Sequence, residues 1–412
     1  MTSNQVAATV SPARSSVAEL RELRVPLSVR RVEVLSVKVP FITEYRTAYG
    51  TIAGRRSLLV RLEDSDGVVG WGEGPGAEQP IISSDTHDSG WYALTGVLVP
   101  RVAGRDFSGP GEFAAAWADI IGYHGAKHAL ECAAWSVVSQ KLGQPLSKIW
   151  GGVREAIPVG ETFTIKDSLS ELFDEIERKL AENYRRIKLK IEPGWDSDVT
   201  SAVAARFPGV PLSVDGNCSY RWPDAGPWAE LDTLGLLMIE QPFGREALCD
   251  LASLQRELNT PLCLDESASS LAITQAALGL KAGRVVNIKP ARVGGIFAAM
   301  DIHDLCAAND VPVWCGGMLE TGIGRAFNLA MASLPHFSFP ADMSPAKDFY
   351  AEDLVEPTFD IEPDGTIAVP QGLGCGFNVS AERIAKYTVA KWTAGELASR
   401  GDRGTIRFGG FS

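Results

Sequence analysis

Five charged residues recur through the middle of this 412-residue chain at a nearly constant step. Lys190, Asp215, Glu240 and Asp265 are 25 residues apart in succession, and Lys289 follows Asp265 by 24. Each lies at the C-terminal end of a short apolar run: RIKLKI, PLSVDGN, LLMIEQP, PLCLDES and VVNIKP. A charge in a buried strand is costly unless it is paired or ligates a metal. Three carboxylates converging from neighbouring strands repel unless a cation sits between them. Oxygen donors alone, with no Cys or His in the set, favour Mg²⁺, with Mn²⁺ as the alternative, over Zn²⁺. The two lysines flank the acids in sequence. An ammonium near a divalent cation has its charged form disfavoured, which suits a general base. Lys188 precedes Lys190 in KLK, and Glu266 follows Asp265, placed to orient a lysine. Each residue alone has a plainer reading, as a strand-end acid bonded to a neighbouring loop or a salt-bridged lysine. The shared step favours one common site.

The elements that must carry these residues follow from the same runs. Eight occur between Ile157 and Asp342, the others being IPVGETF, VPVWCGG and HFSFPAD. Between them lie stretches of helical periodicity such as LSELFDEIERKLAENY. Strands alternating with helices predict parallel βαβ units, and eight of them a (β/α) barrel, with a doubly wound sheet as the alternative. In a barrel the C-terminal strand ends form the active-site mouth. After the seventh run, GGMLETGIGRAFN has glycines that let backbone N–H groups approach a ligand. The helix start that follows favours an anion; a tight strand-to-helix turn is the plainer reading. None of the five histidines (87, 124, 128, 303 and 336) falls at a mouth position, so all are read as structural or exposed.

Before the barrel, VRRVEVLSVKVP alternates, and SLLVRLEDSDGVVGWGE reads as two strands around an Asp-Gly turn. FITEYRTAYGT between them reads as a loop, and Pro110 to Leu142 as helical, ending at a glycine C-cap. The expected organisation is an N-terminal arm over residues 1–25, an α+β unit over 26–150, the barrel over 151–347, and a C-terminal segment over 348–412. That last segment contains the strand-like GTIAVP and RGTIRFGGF and is expected to fold back onto the N-terminal unit.

Composition narrows the partners. A formal net charge of −12 argues against nucleic acid, and a small carboxylate substrate is expected instead. Seven scattered cysteines without a CxxC pair fit a reducing cytoplasm. No run reaches the roughly 18 apolar residues of a membrane span.

KxK, VDGN, IEQP, LDES, NIKPARVGG and GGMLETGIGRAFN, in that order, resemble the muconate-lactonising branch of the enolase superfamily. GGMLETGIGRAFNLAMASLP followed by FPADMSP is most similar to its o-succinylbenzoate synthase / N-acylamino acid racemase subfamily. The resemblance implies an α/β architecture: a modified (β/α)₇β barrel under an α+β capping domain that the C-terminal segment completes. It implies Asp215, Glu240 and Asp265 as Mg²⁺ ligands, Lys190 and Lys289 as acid/base pair, and Lys188 as neutraliser of the substrate carboxylate. Asn217, Arg292, Gly317, Met318 and Thr321 are expected at the substrate, and FITEYRTAYGT as the specificity flap. The implied reaction is removal of the proton α to a carboxylate through an enediolate, giving o-succinylbenzoate or racemising N-acyl (N-succinyl) amino acids. Dipeptide epimerisation and muconate-type cycloisomerisation are the alternatives, and a homo-oligomer is expected. VPVWCGG lacks the histidine of the mandelate racemase branch, and Asp342-Met-Ser departs from the Asp-x-Asp of dipeptide epimerases.

Overall fold

The structure, a computed structural model, describes residues 16–47, 50–81, 83–222 and 226–395. Residues 1–15 of the expected arm and the expected RGTIRFGGF strand lie outside them. The arm reading needs correction at its end: Val17–Arg21 is a helix, capped by Ser16 and Glu19, that buries Val17 and Leu20.

The capping unit is an antiparallel sheet of β1 (Leu27–Thr47), β2 (Gly50–Asp64) and β3 (Val69–Gly76). The Asp-Gly turn forms as read, with Gly67 at φ 81° and its N–H donating to Asp64. Part of the segment read as a flap loop is instead strand. After a register shift, Tyr45, Arg46 and Thr47 pair with Ile52, Thr51 and Gly50, so backbone pairing holds where side-chain alternation fails. Helix α1 (His124–Leu142) lies across this sheet and ends at Gly143 in the left-handed region. Alternate glycines make the contact. A Cβ on Gly70 or Gly72 would stand 2.0 or 2.1 Å from the carbonyl oxygens of Ala133 or Ala129, one helical turn apart. Glu73, between glycines, points to the opposite face, toward the barrel.

Seven parallel strands follow: β4 (Glu161–Phe163), β5 (Ile187–Lys190), β6 (Leu212–Asp215), β7 (Ile239–Glu240), β8 (Leu262–Leu264), β9 (Val285–Asn287) and β10 (Val313–Trp314). The eighth run is not a regular strand, because Pro340 has no N–H to give a ladder. It closes the barrel through single parallel bridges, Val313 with Phe337 and Val159 with Ala341. The first run also breaks, at Gly160, whose missing side chain makes room for the Arg186 guanidinium. The C-terminal segment adds Thr366–Ala368 against Ala156–Pro158. It then adds β11 (Thr388–Gly395), which joins the capping sheet antiparallel to β1.

Two buried glutamates of the cap seal N-termini of barrel helices. Glu131 on α1 accepts from the N–H groups of Ile296 and Phe297 at 3.1 and 2.9 Å, where helix Ile296–Ala308 begins. Burial outweighs those bonds and raises its carboxyl from 4.5 to about 7. A raised carboxyl contributes stability that is present below pH 4.5 and lost as pH rises through 7. The stability of the native protein relative to Glu131→Gln should therefore fall by about 3 kcal/mol across that range, measured by urea unfolding at several pH values.

Candidate active site

Strand register delivers the charges. Lys190 pairs with Asp215 and Asp215 with Glu240 across β5, β6 and β7, while Asp265 follows β8 and Lys289 follows β9. Counting IPVGETF as the first of eight staves, the acids end the third, fourth and fifth. Lys190 ends the second and Lys289 the sixth, four staves apart and hence on opposite sides of the mouth.

The three acids are buried beneath the cavity floor, each bonded to protein cations. Lys190 Nζ lies 2.6 Å from Asp215 Oδ2 and 2.6 Å from Asn217 Oδ1. Lys289 Nζ lies 2.9 Å from Asp265 Oδ2, and Arg292 pairs with the other oxygen of Asp265. Lys188 Nζ sits 3.0 Å from Glu240 Oε2, pairs with Asp342, and stands 5.0 Å over the Trp314 ring. Burial opposes the Lys188 charge, but Asp342, Glu240 and Asp215 override it and hold the ammonium well above its usual range. Burial likewise opposes ionisation of Asp215, and Lys190 and Lys188 reverse this, keeping it a carboxylate far below its usual range.

As placed, no three His, Cys, Asp or Glu side chains among the described residues form a metal-holding group. The chemistry of the donor set nevertheless fits a hard cation. Glu266 accepts from Asn217 Nδ2 at 3.2 Å, yet its Oε2 is buried without a partner. Burial first, then Asp215, pushes its carboxyl up to about 6, the signature of crowded anions. Glu266 thus orients Asn217, not a lysine as its position in LDES suggests.

Two residues without obvious chemistry hold the acids in place. Gln241 of IEQP sits at φ 34°; its Oε1 accepts from the Asp265 and Ser267 N–H groups at 2.9 and 3.1 Å, shaping the LDES turn. Asn287 donates to Glu240 Oε1 at 2.8 Å and accepts from the Gly316 N–H at 2.8 Å. A Cβ on Gly316 would meet Lys289 Cε at 2.6 Å and both Nδ2 and Oδ1 of Asn287 at 2.7 Å. Gly316→Ala should displace Lys289 and lower kcat about 100-fold with little change in thermal unfolding. Normal kcat in that variant would contradict the contact.

Above the acids opens a cavity of about 890 Å³ of free space, partly open to solvent. Lys188, Lys190, Lys289, Asn217, Arg292, Gly317 and Met318 line it. Thr321 does not, and its expected substrate contact is corrected. It is 1% exposed, and both its N–H and its hydroxyl donate to Glu73 of the cap, the hydroxyl at 2.6 Å. Gly324 N–H also donates to Glu73 at 2.9 Å. The helix start after the glycine loop (α2, Gly322–Ala332) is thus closed by a protein carboxylate and not left for a ligand. Asp342, Arg55, Arg325 and Phe349 also line the cavity and were not expected there. Asp342 carried a usable signal, since it ends the eighth run as the other acids end theirs.

Residues 29–151 match the family described as mandelate racemase / muconate lactonizing enzyme, N-terminal domain. Residues 171–383, more than half of the chain, match the one described as enolase C-terminal domain-like. The chain belongs to the enolase superfamily. Within that superfamily it is 41% identical to an o-succinylbenzoate synthase of Geobacillus kaustophilus over 86% of this chain and 93% of that one. It is 40% identical to an N-succinylamino acid racemase of Thermus thermophilus, over 91% and 98%. A solved enolase superfamily member from Listeria innocua superposes with a TM-score of 0.85 at 33% identity, covering 89% of this chain and 99% of that one. The chain is thus an enzyme of the superfamily with a barrel under an α+β cap. Among the described residues no helix is long and apolar enough to cross a membrane.

Proposed function

We propose that the enzyme moves the proton α to a carboxylate, as an o-succinylbenzoate synthase, an N-succinylamino acid racemase, or both. The observation that carries this reading is the placement of Lys190 and Lys289 on opposite staves, with three buried acids on the staves between. Relatives of both names at 40–41% identity support it.

Asp215, Glu240 and Asp265 would hold Mg²⁺, or Mn²⁺ in its place, and the unpartnered buried oxygen of Glu266 adds negative charge beside them. The bound cation supplies positive charge that stabilises an anion developing on the substrate carboxylate. Lys188, held as a permanent cation, neutralises that carboxylate from the side. In racemisation Lys190 takes the α-proton on one face, and Lys289 delivers a proton to the opposite face of the planar carbanion. The second enantiomer reverses the roles. In o-succinylbenzoate formation Lys190 takes the α-proton and returns it to the departing hydroxyl on the same face, releasing water. Lys289 then acts as a stationary positive charge.

Dipeptide epimerisation is disfavoured at the eighth stave, where Ser344, not a second acid, follows Asp342 by two residues. Its hydroxyl is engaged with Glu161 at 3.0 Å. The test is turnover of the Mg²⁺-loaded enzyme on a panel of the synthase substrate, N-succinyl amino acids, dipeptides and muconates. Activity confined to the last two would reject the proposal. Seven cysteines that form no disulfide among the described residues suit the reducing cytoplasm in which we place the enzyme.

A further inference from the structure

Six cations line the cavity: Arg55, Lys188, Lys190, Lys289, Arg292 and Arg325. Five of them are already engaged. Lys188, Lys190, Lys289 and Arg292 pair with carboxylates. Arg325 donates through Nε to the Glu320 carbonyl at 3.0 Å and through Nη1 to the Ser344 carbonyl. Arg55 differs. It is 8% exposed, and among the described residues it has neither an acid partner nor a hydrogen-bond acceptor. Its Nε is buried with nothing to donate to.

A guanidinium keeps its charge at any physiological pH, so it cannot escape burial by losing a proton. A buried charge without a counter-ion is strongly destabilising, and its persistence in a cavity wall points to an anion that arrives with the ligand. Arg55 lies on β2, supplied by the cap, whereas the lysines and acids rise from the barrel. The wall around it is apolar or already satisfied: Phe349 lines the same cavity, and the Tyr350 hydroxyl donates to the Leu319 carbonyl at 2.7 Å. Leu319 is held at φ 58°, a conformation an aliphatic residue adopts only under constraint, so this wall is built rigidly.

We infer that Arg55 is a specificity-determining residue that pairs with a second carboxylate, carried on the substrate away from the reacting carbon. The inference rests on the proposed α-proton chemistry and assigns the two carboxylates of an N-succinyl amino acid to separate places, one at Lys188 and the other at Arg55 under the cap. A planar fork fits a carboxylate through two parallel N–H···O bonds, which an ammonium cannot reproduce.

The test compares an N-succinyl amino acid with the same compound methylated on its succinyl carboxylate, using Mg²⁺-loaded enzyme and α-proton exchange in D₂O as the readout. In the native enzyme the ester should lose about 100-fold in kcat/KM, mainly through KM, because it leaves Arg55 unpaired. In Arg55→Met the acid should lose its advantage, so that acid and ester react within a few-fold of each other. Should Arg55→Met fail to fold, Arg55→Lys should retain the preference for the acid but reduce it about tenfold, since the bidentate contact is gone. Equal reaction of acid and ester in the native enzyme, or an undiminished preference in Arg55→Met, would overturn the assignment. No exchange with either compound or with the synthase substrate would instead remove the proposed function, and this inference with it.

Discussion

Lys190→Ala should lower kcat for racemisation and for synthesis by about 10²- to 10⁴-fold, the range of a lost acid/base group. The loss should appear in kcat rather than KM. In the proposed mechanism the substrate carboxylate is held by Lys188, which bonds Glu240 and Asp342 and does not depend on Lys190. The Lys190 ammonium lies 2.6 Å from both Asp215 and Asn217, so its removal leaves Asp215 still bonded to the Asn217 N–H at 2.9 Å. The fold should survive, as circular dichroism and thermal unfolding would report. Lys289→Ala should separate the two reactions. Racemisation needs a proton on each face and should fall as far as in Lys190→Ala. Synthesis needs Lys289 only as a charge and should fall less. Equal losses in both reactions would remove that division of labour.

Chelation of divalent cations should silence the enzyme, and Mg²⁺ or Mn²⁺ should restore it. Glu240→Gln should weaken Mg²⁺ binding by at least about 100-fold, since a carboxylate ligand loses its charge where even supporting contacts are worth 10- to 100-fold. Lys188 and Asn287 both donate to Glu240, so the amide oxygen can keep one of the two bonds, and circular dichroism should confirm that the barrel is retained. Isothermal calorimetry with Mg²⁺ would measure the loss without reference to turnover. Undiminished Mg²⁺ affinity in Glu240→Gln would exclude it as a ligand.

The barrel and its chemistry are legible in the sequence where burial makes charge conspicuous. Parallel strands covered on both faces tolerate few charges, so Asp215, Glu240 and Asp265 stand out at the ends of apolar runs. What escapes notice is what depends on distant partners. Thr321 opens a helix in a glycine-rich loop, which predicts a ligand at its N–H group. The group is instead closed by Glu73, 248 residues away, and no local pattern announces that. FITEYRTAYGT lacks alternation and so reads as loop, yet backbone pairing of Tyr45, Arg46 and Thr47 with β2 extends the β1–β2 ladder into it. Gln241 carries no charge and so draws no attention, although its amide sets the turn that presents Asp265. Asp342 is legible as the end of the eighth run, although that run forms only isolated bridges around Pro340. Arg55 lies beyond any of these signals: its importance is the absence of an acid beside it among the described residues, a property only packing creates.

In the proposed mechanism two lysines address opposite faces of one bound acid. ¹H NMR of α-proton exchange in D₂O, starting separately from each enantiomer of an N-succinyl amino acid, tests it most directly. Lys190→Ala should exchange one enantiomer only and Lys289→Ala only the other, each without inverting the centre. Exchange of the same enantiomer in both variants, or of both enantiomers in either, would contradict it.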